Sequence, residues 1–291
     1  MRMNATGEGK LVIVPTPLGN LGDMTARSLE ALRAADVVCA EDTRVTGKLL
    51  AAFDIEKRLE RLDEALLGAR AEGVVERVLS GEVIAYCSDA GMPGVSDPGL
   101  RLVSAARAAG AQVEVLPGPV AAATAYVASG CTNPRFYFGG FFPRKAAEQR
   151  AVLESLRALD AALIFYESPN RIAGALESVA ETFPLREVAV CRELTKLHEE
   201  VVRGLAPDVR DEFAERSREG VVKGEIAFVI DGPSQAEHEV CAREAATGAH
   251  TRAAELLAAG ELSKKDIVKQ LRQEFGISRN EAYDIVMQAD A

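Results

Sequence analysis

Three short apolar runs of this chain each end in a segment too rich in glycine and proline to continue as helix or strand. Leu11–Pro15 runs into Pro15-Thr16-Pro17-Leu18-Gly19-Asn20. Val83–Cys87 runs into Ser88-Asp89-Ala90-Gly91-Met92-Pro93-Gly94-Val95-Ser96-Asp97-Pro98-Gly99, and Gln112–Leu116 into Pro117-Gly118-Pro119. Proline fixes φ and removes a donor, and glycine loses the most conformational freedom on ordering, so these segments read as loops. Between the runs lie stretches with helical spacing: Thr25–Ala35, with Leu29 and Leu32 on one face and Asp23 or Thr25 available as its cap, and Leu100–Ala109. Asp36–Ala40 is a further strand. Strands alternating with helices of about ten residues define βαβ units and a mainly parallel sheet. In such a sheet, loops at the carboxyl ends of the strands converge on one crevice, where ligands bind.

The pattern changes after Pro117-Gly118-Pro119. Ala121–Ala128 restarts the chain as a small-residue helix. Strands follow at Phe136–Phe142, Ala162–Tyr166, Glu187–Arg192, Glu199–Gly204 and Glu225–Ile230, with helices at Gln149–Leu159, Arg171–Thr182 and Pro207–Glu215. More consecutive strands and fewer crossovers predict a mixed sheet. Residues 231–242 read as a polar linker, and three short helices at Thr251–Ala258, Lys264–Phe275 and Arg279–Gln288 follow, with Ser263 and Ser278 as N-caps. The expected organisation is two α/β domains, residues 1–118 and 119–232, and a helical extension over 243–291. The extension reads either as a packing bundle or as a helix-turn-helix unit for nucleic acid.

Charge and cysteine usage narrow the chemistry. With 34 basic and 44 acidic residues the net charge is −10, so no overall field draws the chain to a polyanion, and any RNA contact needs a local basic patch. Arg144, Lys145 and Lys264-Lys265 are candidates for it. The five cysteines (Cys39, Cys87, Cys131, Cys191, Cys241) form no CxxC pair, and only three histidines occur. Small buried thiols in a reducing compartment are expected, and no metal site. No apolar run approaches the ~18 residues of a membrane span, and residues 1–10 lack a secretion signal, so a cytoplasmic location is expected.

Neither GxGxxG nor GxxxxGK[ST] occurs, which removes the common dinucleotide and P-loop fingerprints. Polar groups instead appear abruptly where strands end. Ala40-Glu41-Asp42-Thr43-Arg44 is one such place, readable either as a helix cap with an ion pair or as a cluster that orients a hydroxyl and takes its proton. Phe165-Tyr166-Glu167-Ser168-Pro169-Asn170-Arg171 and Cys191-Arg192-Glu193-Leu194-Thr195-Lys196 are two more.

Taken in order, these segments, together with Lys223-Gly224-Glu225, resemble the tetrapyrrole-methylase family over roughly residues 10–230, and within it the branch that modifies ribosomal RNA. The Pro-Thr-Pro-Leu-Gly-Asn loop and Glu-Asp-Thr-Arg separate that branch from the porphyrin-ring methylases. Two features depart from it: Arg61-Leu62-Asp63-Glu64-Ala65-Leu66 replaces a stretch that usually holds His and Asn, and Met92 stands where threonine is common. The resemblance implies a class III S-adenosylmethionine methyltransferase fold, with the cofactor between two α/β domains, usually in a homodimer. It implies methylation of the 2′-oxygen of a cytidine in 16S ribosomal RNA, on the RNA or on the small ribosomal subunit. Pro17, Leu18, Gly19, Asp89, Met92, Pro119, Val120, Tyr166, Leu194 and Ile226 would then line the cofactor pocket. Glu41 and Asp42 are the candidate bases, with Arg44 holding one of them ionised or gripping phosphate. A tetrapyrrole or protein acceptor on the same fold, and a non-catalytic regulator binding nucleic acid through its C-terminal helices, are the competing expectations.

Overall fold

Strands buried on both faces must be covered by helices on both sides, and the first half of the chain meets that requirement. The computed structural model describes residues 9–260 and 262–289. Strands β1 (Lys10–Ile13), β2 (Val37–Ala40), β3 (Arg58–Arg61), β4 (Val83–Cys87) and β5 (Gln112–Val115) form one sheet in the order β3-β2-β4-β1-β5, with every pairing parallel. Helices α1 (Ala26–Ala34) and α2 (Thr43–Ala52) pack Leu32 and Leu50 against Val12, Val38 and Ala85. On the other face, α3 (Glu64–Leu79) and α4 (Gly99–Ala108) pack Leu67, Val78 and Leu102 against Ile13, Ile84 and Tyr86. Thr25 is the cap of α1, its hydroxyl accepting the Ser28 N–H. From β1 the chain crosses to one side and, after β4, to the other. Such a switch point opens a crevice at the strands' carboxyl ends.

Helix α5 (Ala121–Ala128) belongs to the second sheet, burying Ala122 and Ala125 against Ile164, Ala189 and Val229. That sheet contains β6 (Phe136–Phe141), β7 (Ala162–Glu167), β8 (Glu187–Arg192), β9 (Glu200–Leu205) and β10 (Ile226–Ile230), ordered β6-β7-β10-β8-β9. Only β6 and β7 run parallel, so the sheet is mixed as expected. Helices α6 (Ala146–Ser155), α7 (Ile172–Thr182) and α8 (Ala206–Arg218) cover its other face around Phe142, Phe165, Phe213 and Phe228. Both sheets lie in one compact unit ending at Asp231.

The second unit contains α9 (Gln235–Ala259), α10 (Lys264–Phe275) and α11 (Arg279–Ala289) around a core of Ala253, Ile267, Leu271, Ala282 and Val286. Here the expected linker gives way to helix. Ser234 caps α9 by accepting the Glu237 N–H, and the chain then stays helical for 25 residues, because alanine, glutamate and arginine dominate and no proline interrupts. Gly248 does not break it; a Cβ there would lie 2.8 Å from Cε1 of Phe275. Ser263 caps α10, and Ser278 and Glu281 exchange hydrogen bonds at the start of α11 as a capping box. Gly260 and Gly276 end α9 and α10 at φ +66° and +67°, where glycine carries no Cβ penalty.

Cys39, Cys87 and Cys191 are buried, and burial pushes their thiols up to about 12. Cys131 is half-buried, and the side chain of Cys241 lies outside the described residues. Among the described residues no helix is long and apolar enough to cross a membrane.

Candidate functional site

The Gly/Pro loops meet. Thr16 and Gly91 exchange backbone hydrogen bonds at 3.0 Å each way, and the Thr16 hydroxyl donates to the Ser88 carbonyl. Gly91, at φ +77°, sits where a Cβ would press on Leu18 Cδ2 at 3.1 Å and on the Pro119 carbonyl at 3.3 Å. A Cβ on Gly118 would lie 2.3 Å from Cβ of Pro15. Glycine is therefore required at both points for the loops after β1, β4 and β5 to close on one another.

A cavity of about 890 Å³ opens above these loops. The first sheet contributes Leu18, Glu41, Asp89, Met92 and Val120; the second contributes Phe141, Arg144, Tyr166, Leu194 and Ile226. Eight of the thirteen residues expected to line the cofactor pocket or act on the acceptor thus line one space, together with Arg144 of the expected basic patch. Pro17, Gly19, Pro119, Asp42 and Arg44 are not among its lining residues. The Lys196 stem packs over Gly19, where a Cβ would come within 2.4 Å of Cγ. Pro119 supplies the carbonyl beneath Gly91. The Tyr166 hydroxyl accepts the Ala122 N–H at 3.0 Å, satisfying a donor at the start of α5 and tying the second sheet to the third loop.

The acidic segment after β2 divides into two roles. Asp42 is the N-cap of α2: its carboxylate accepts the Arg44 backbone N–H at 2.8 Å and pairs with the Arg44 guanidinium at 2.6 Å. These bonds hold Asp42 well below the usual carboxylate range. Glu41 lines the cavity instead. Burial first, then the negative charges of Asp89 and Asp97, push its carboxyl up, while the Asp89 backbone N–H pulls it partly back. Asp89 accepts the Asp42 N–H at 3.0 Å, and partial desolvation raises its own carboxyl. The cap reading of Glu-Asp-Thr-Arg thus applies to Asp42, whereas Glu41 beside it lines the cavity.

Other lining groups carry no residue-specific signal in the sequence, although Asp97 and Glu167 stand in two of the segments that follow strands there. Asp97 holds its loop by accepting the Gly94 and Gly99 N–H groups, and Ser96 lies at φ +67°. Phe141 stands on a strand whose register shifts between Phe138 and Phe141. The Gly139-Gly140 pair beside it was the only local signal. Glu167 is buried and bonds the Ser168 N–H and Arg171, shaping the turn after β7.

The carboxyl ends of parallel strands, a switch point and converging Gly/Pro loops define a ligand-binding crevice of an open α/β sheet. The chain belongs to the tetrapyrrole (corrin/porphyrin) methylase family, whose sequence model matches residues 10–210. It is 38% identical over 283 residues to Ribosomal RNA small subunit methyltransferase I of Halalkalibacterium halodurans, covering 97% of this chain and 96% of that relative. To the protein so named from Micromonospora olivasterospora it is 39% identical over 281 residues, 96% and 87% of the two chains. The crystal structure of uroporphyrin-III-C-methyltransferase from Thermus thermophilus shares the fold, with a TM-score of 0.56 at 22% identity over 77% of this chain and 94% of that one.

Proposed function

We propose that this chain transfers a methyl group from S-adenosylmethionine to the 2′-oxygen of a cytidine in 16S ribosomal RNA, acting in the cytoplasm as a homodimer on the RNA or on the small ribosomal subunit. The observation that carries the reading is the placement of Glu41 in the same cavity as the loops after β1, β4 and β5. The relatives' shared name supports the acceptor.

The cavity suits a cationic cofactor. Its volume lies within the range of about 300–1,000 Å³ typical of small-molecule sites. Glu41, Asp89, Asp97, Glu167 and Glu225 line it against Arg144 and Arg171 only. An acidic wall favours a ligand bearing sulfonium and ammonium charges. The Gly91 cradle leaves backbone, rather than side chain, at the floor. Leu18, Met92, Val120, Tyr166, Leu194 and Ile226 would hold the apolar parts, and Asp89 a polar end. When bound, S-adenosylmethionine supplies a methyl group activated for in-line displacement.

The chain's own task is then alignment and proton removal. A ribose hydroxyl is a weak acid, and a carboxylate in contact with it assists attack by accepting the proton as the new bond forms. Glu41 occupies that position in this reading; its raised carboxyl makes it a stronger base than an ordinary glutamate. Asp42, held by Arg44, anchors α2 and so fixes the adjacent Glu41.

Labelled S-adenosylmethionine incubated with the protein and with small subunits lacking the modification should place label on one cytidine ribose of 16S ribosomal RNA. Label on a base, on protein or nowhere would refute the reading. Sedimentation of the purified protein at the mass of a single chain would refute the dimer. Asp89→Ala is expected to weaken cofactor binding about 10- to 150-fold, the range for losing a charge-assisted hydrogen bond of about 1.5–3 kcal/mol. Its melting temperature should stay close to the parent's, since Asp89 sits on an exposed loop. Unchanged affinity in calorimetry would remove Asp89 from the pocket.

A further inference from the structure

The wall of the cavity carries one feature that an acidic cofactor pocket does not need. Phe141 lines it with 64% of its surface exposed, its ring 5.6 Å from that of Tyr166 and inclined at 73°. A bulge puts it there: Phe138 pairs with Ile164, but Phe141 rather than Gly140 pairs with Tyr166. The extra residue, accommodated by Gly140 at φ +72°, re-aims the strand so that Phe141 meets the cavity while Phe142 enters the core. Without it the position opposite Tyr166 would be glycine.

Three residues on, Arg144 also lines the cavity. Arg171, the other cation there, is neutralised by Glu167, and neighbouring Lys145 is paired with Glu148. Arg144 makes no ion pair or hydrogen bond among the described residues, although five carboxylates line the same space. An exposed aromatic ring and an uncompensated guanidinium on one short segment are the two groups that single-stranded RNA requires: a surface on which an unstacked base can stack and a cation for its phosphate.

We propose that Phe141 and Arg144 form the acceptor-nucleotide clamp, Phe141 stacking on a splayed-out base of the RNA and Arg144 binding an adjacent phosphate. This rests on the ribosomal RNA reading of the function. It also answers the objection posed by a net charge of −10: the positive group is local and sits at the cavity itself.

The test is single-turnover methyl transfer to small subunits lacking the modification, at varied subunit and salt concentrations, with cofactor affinity measured in parallel by calorimetry. Phe141→Ala is expected to weaken apparent affinity for the subunit roughly 5- to 150-fold, the range for losing one base–aromatic stack. Arg144→Gln is expected to reduce the slope of log affinity against log salt by about 0.7 to 1, and Arg144→Lys to restore it. Cofactor affinity should be unchanged in all three. Unchanged subunit affinity in Phe141→Ala, an unchanged salt slope in Arg144→Gln, or lost cofactor affinity in either overturns the clamp while leaving an active parent's function standing. A parent that methylates no subunit overturns both readings.

Discussion

Glu41→Gln is expected to lower the single-turnover methyl-transfer rate by about 10²–10⁴, the usual contribution of a general base, while raising the melting temperature at neutral pH. The two effects share one cause. Burial and the charges of Asp89 and Asp97 raise the Glu41 carboxyl, so the folded protein holds this proton more tightly than the unfolded chain does. Stability therefore falls as pH rises from the ordinary glutamate value through the raised one, and above that window the ionised carboxylate destabilises the fold. Glutamine removes the charge and with it the penalty. Asp42→Asn should do the reverse. Asp42 is depressed by its bonds to Arg44, so it contributes stability above the ordinary aspartate value that is lost as pH falls towards the folded one. That variant should melt earlier at neutral pH and keep most of its rate. The parent's rate should also fall with decreasing pH, with a midpoint above the ordinary glutamate value, a limb absent from the residual activity of Glu41→Gln. Thermal melts and rate–pH profiles of both variants decide the matter. A larger rate loss in Asp42→Asn than in Glu41→Gln would transfer the base to Asp42.

Phe165→Ala is expected to cost about 3–5 kcal/mol of stability, as large-to-small substitutions of buried aromatics do. Phe165 is 1% exposed and stands next to Tyr166 on β7, its ring 4.9 Å from Phe142 and 5.6 Å from Phe228. A Cβ on Gly139 would lie 2.2 Å from its Cε1, so the bulged strand already fits closely around this ring. Removing it leaves a cavity beneath the segment that carries Phe141 and beside the strand that carries Tyr166. Since a domain's net stability is only about 5–15 kcal/mol, the loss is a large share of the total. Phe165→Leu should recover a good part of it. Urea unfolding followed by circular dichroism and tyrosine fluorescence, the chain having no tryptophan, gives the difference directly. A loss below about 1 kcal/mol would mean that the aromatic cluster is not the core of the second sheet.

Much of the fold is legible because its signals are local. Apolar runs bounded by glycine and proline mark β1, β4, β5 and β10, and Thr25, Ser263 and Ser278 stand as caps before stretches that read as helix. The ordered set of loop sequences pointed to the family that the comparison then showed. Strand β3 carried no such signal. Its residues Arg58-Leu59-Glu60-Arg61 form an edge paired on one side only, where no apolar alternation is required. The first part of helix α9, ahead of the stretch Thr251–Ala258 that reads as helix, was hidden for a related reason: residues 231–242 are polar, yet helix formers capped by Ser234 extend it without an apolar stripe there. The site depended still more on distant contacts. Sequence alone set Glu41, Asp42 and Arg44 side by side and brought Gly/Pro loops to strand ends. Which carboxylate caps α2 and which lines the cavity was decided by the Asp42–Arg44 bonds and by the approach of Asp89 from 47 residues away. The meeting of Thr16 with Gly91, the packing of Gly118 on Pro15 and the bulge that turns Phe141 to the cavity are likewise tertiary. Periodicity and turn chemistry are set within a few residues of chain, whereas the direction a side chain faces at a site is settled only when segments far apart in sequence pack together.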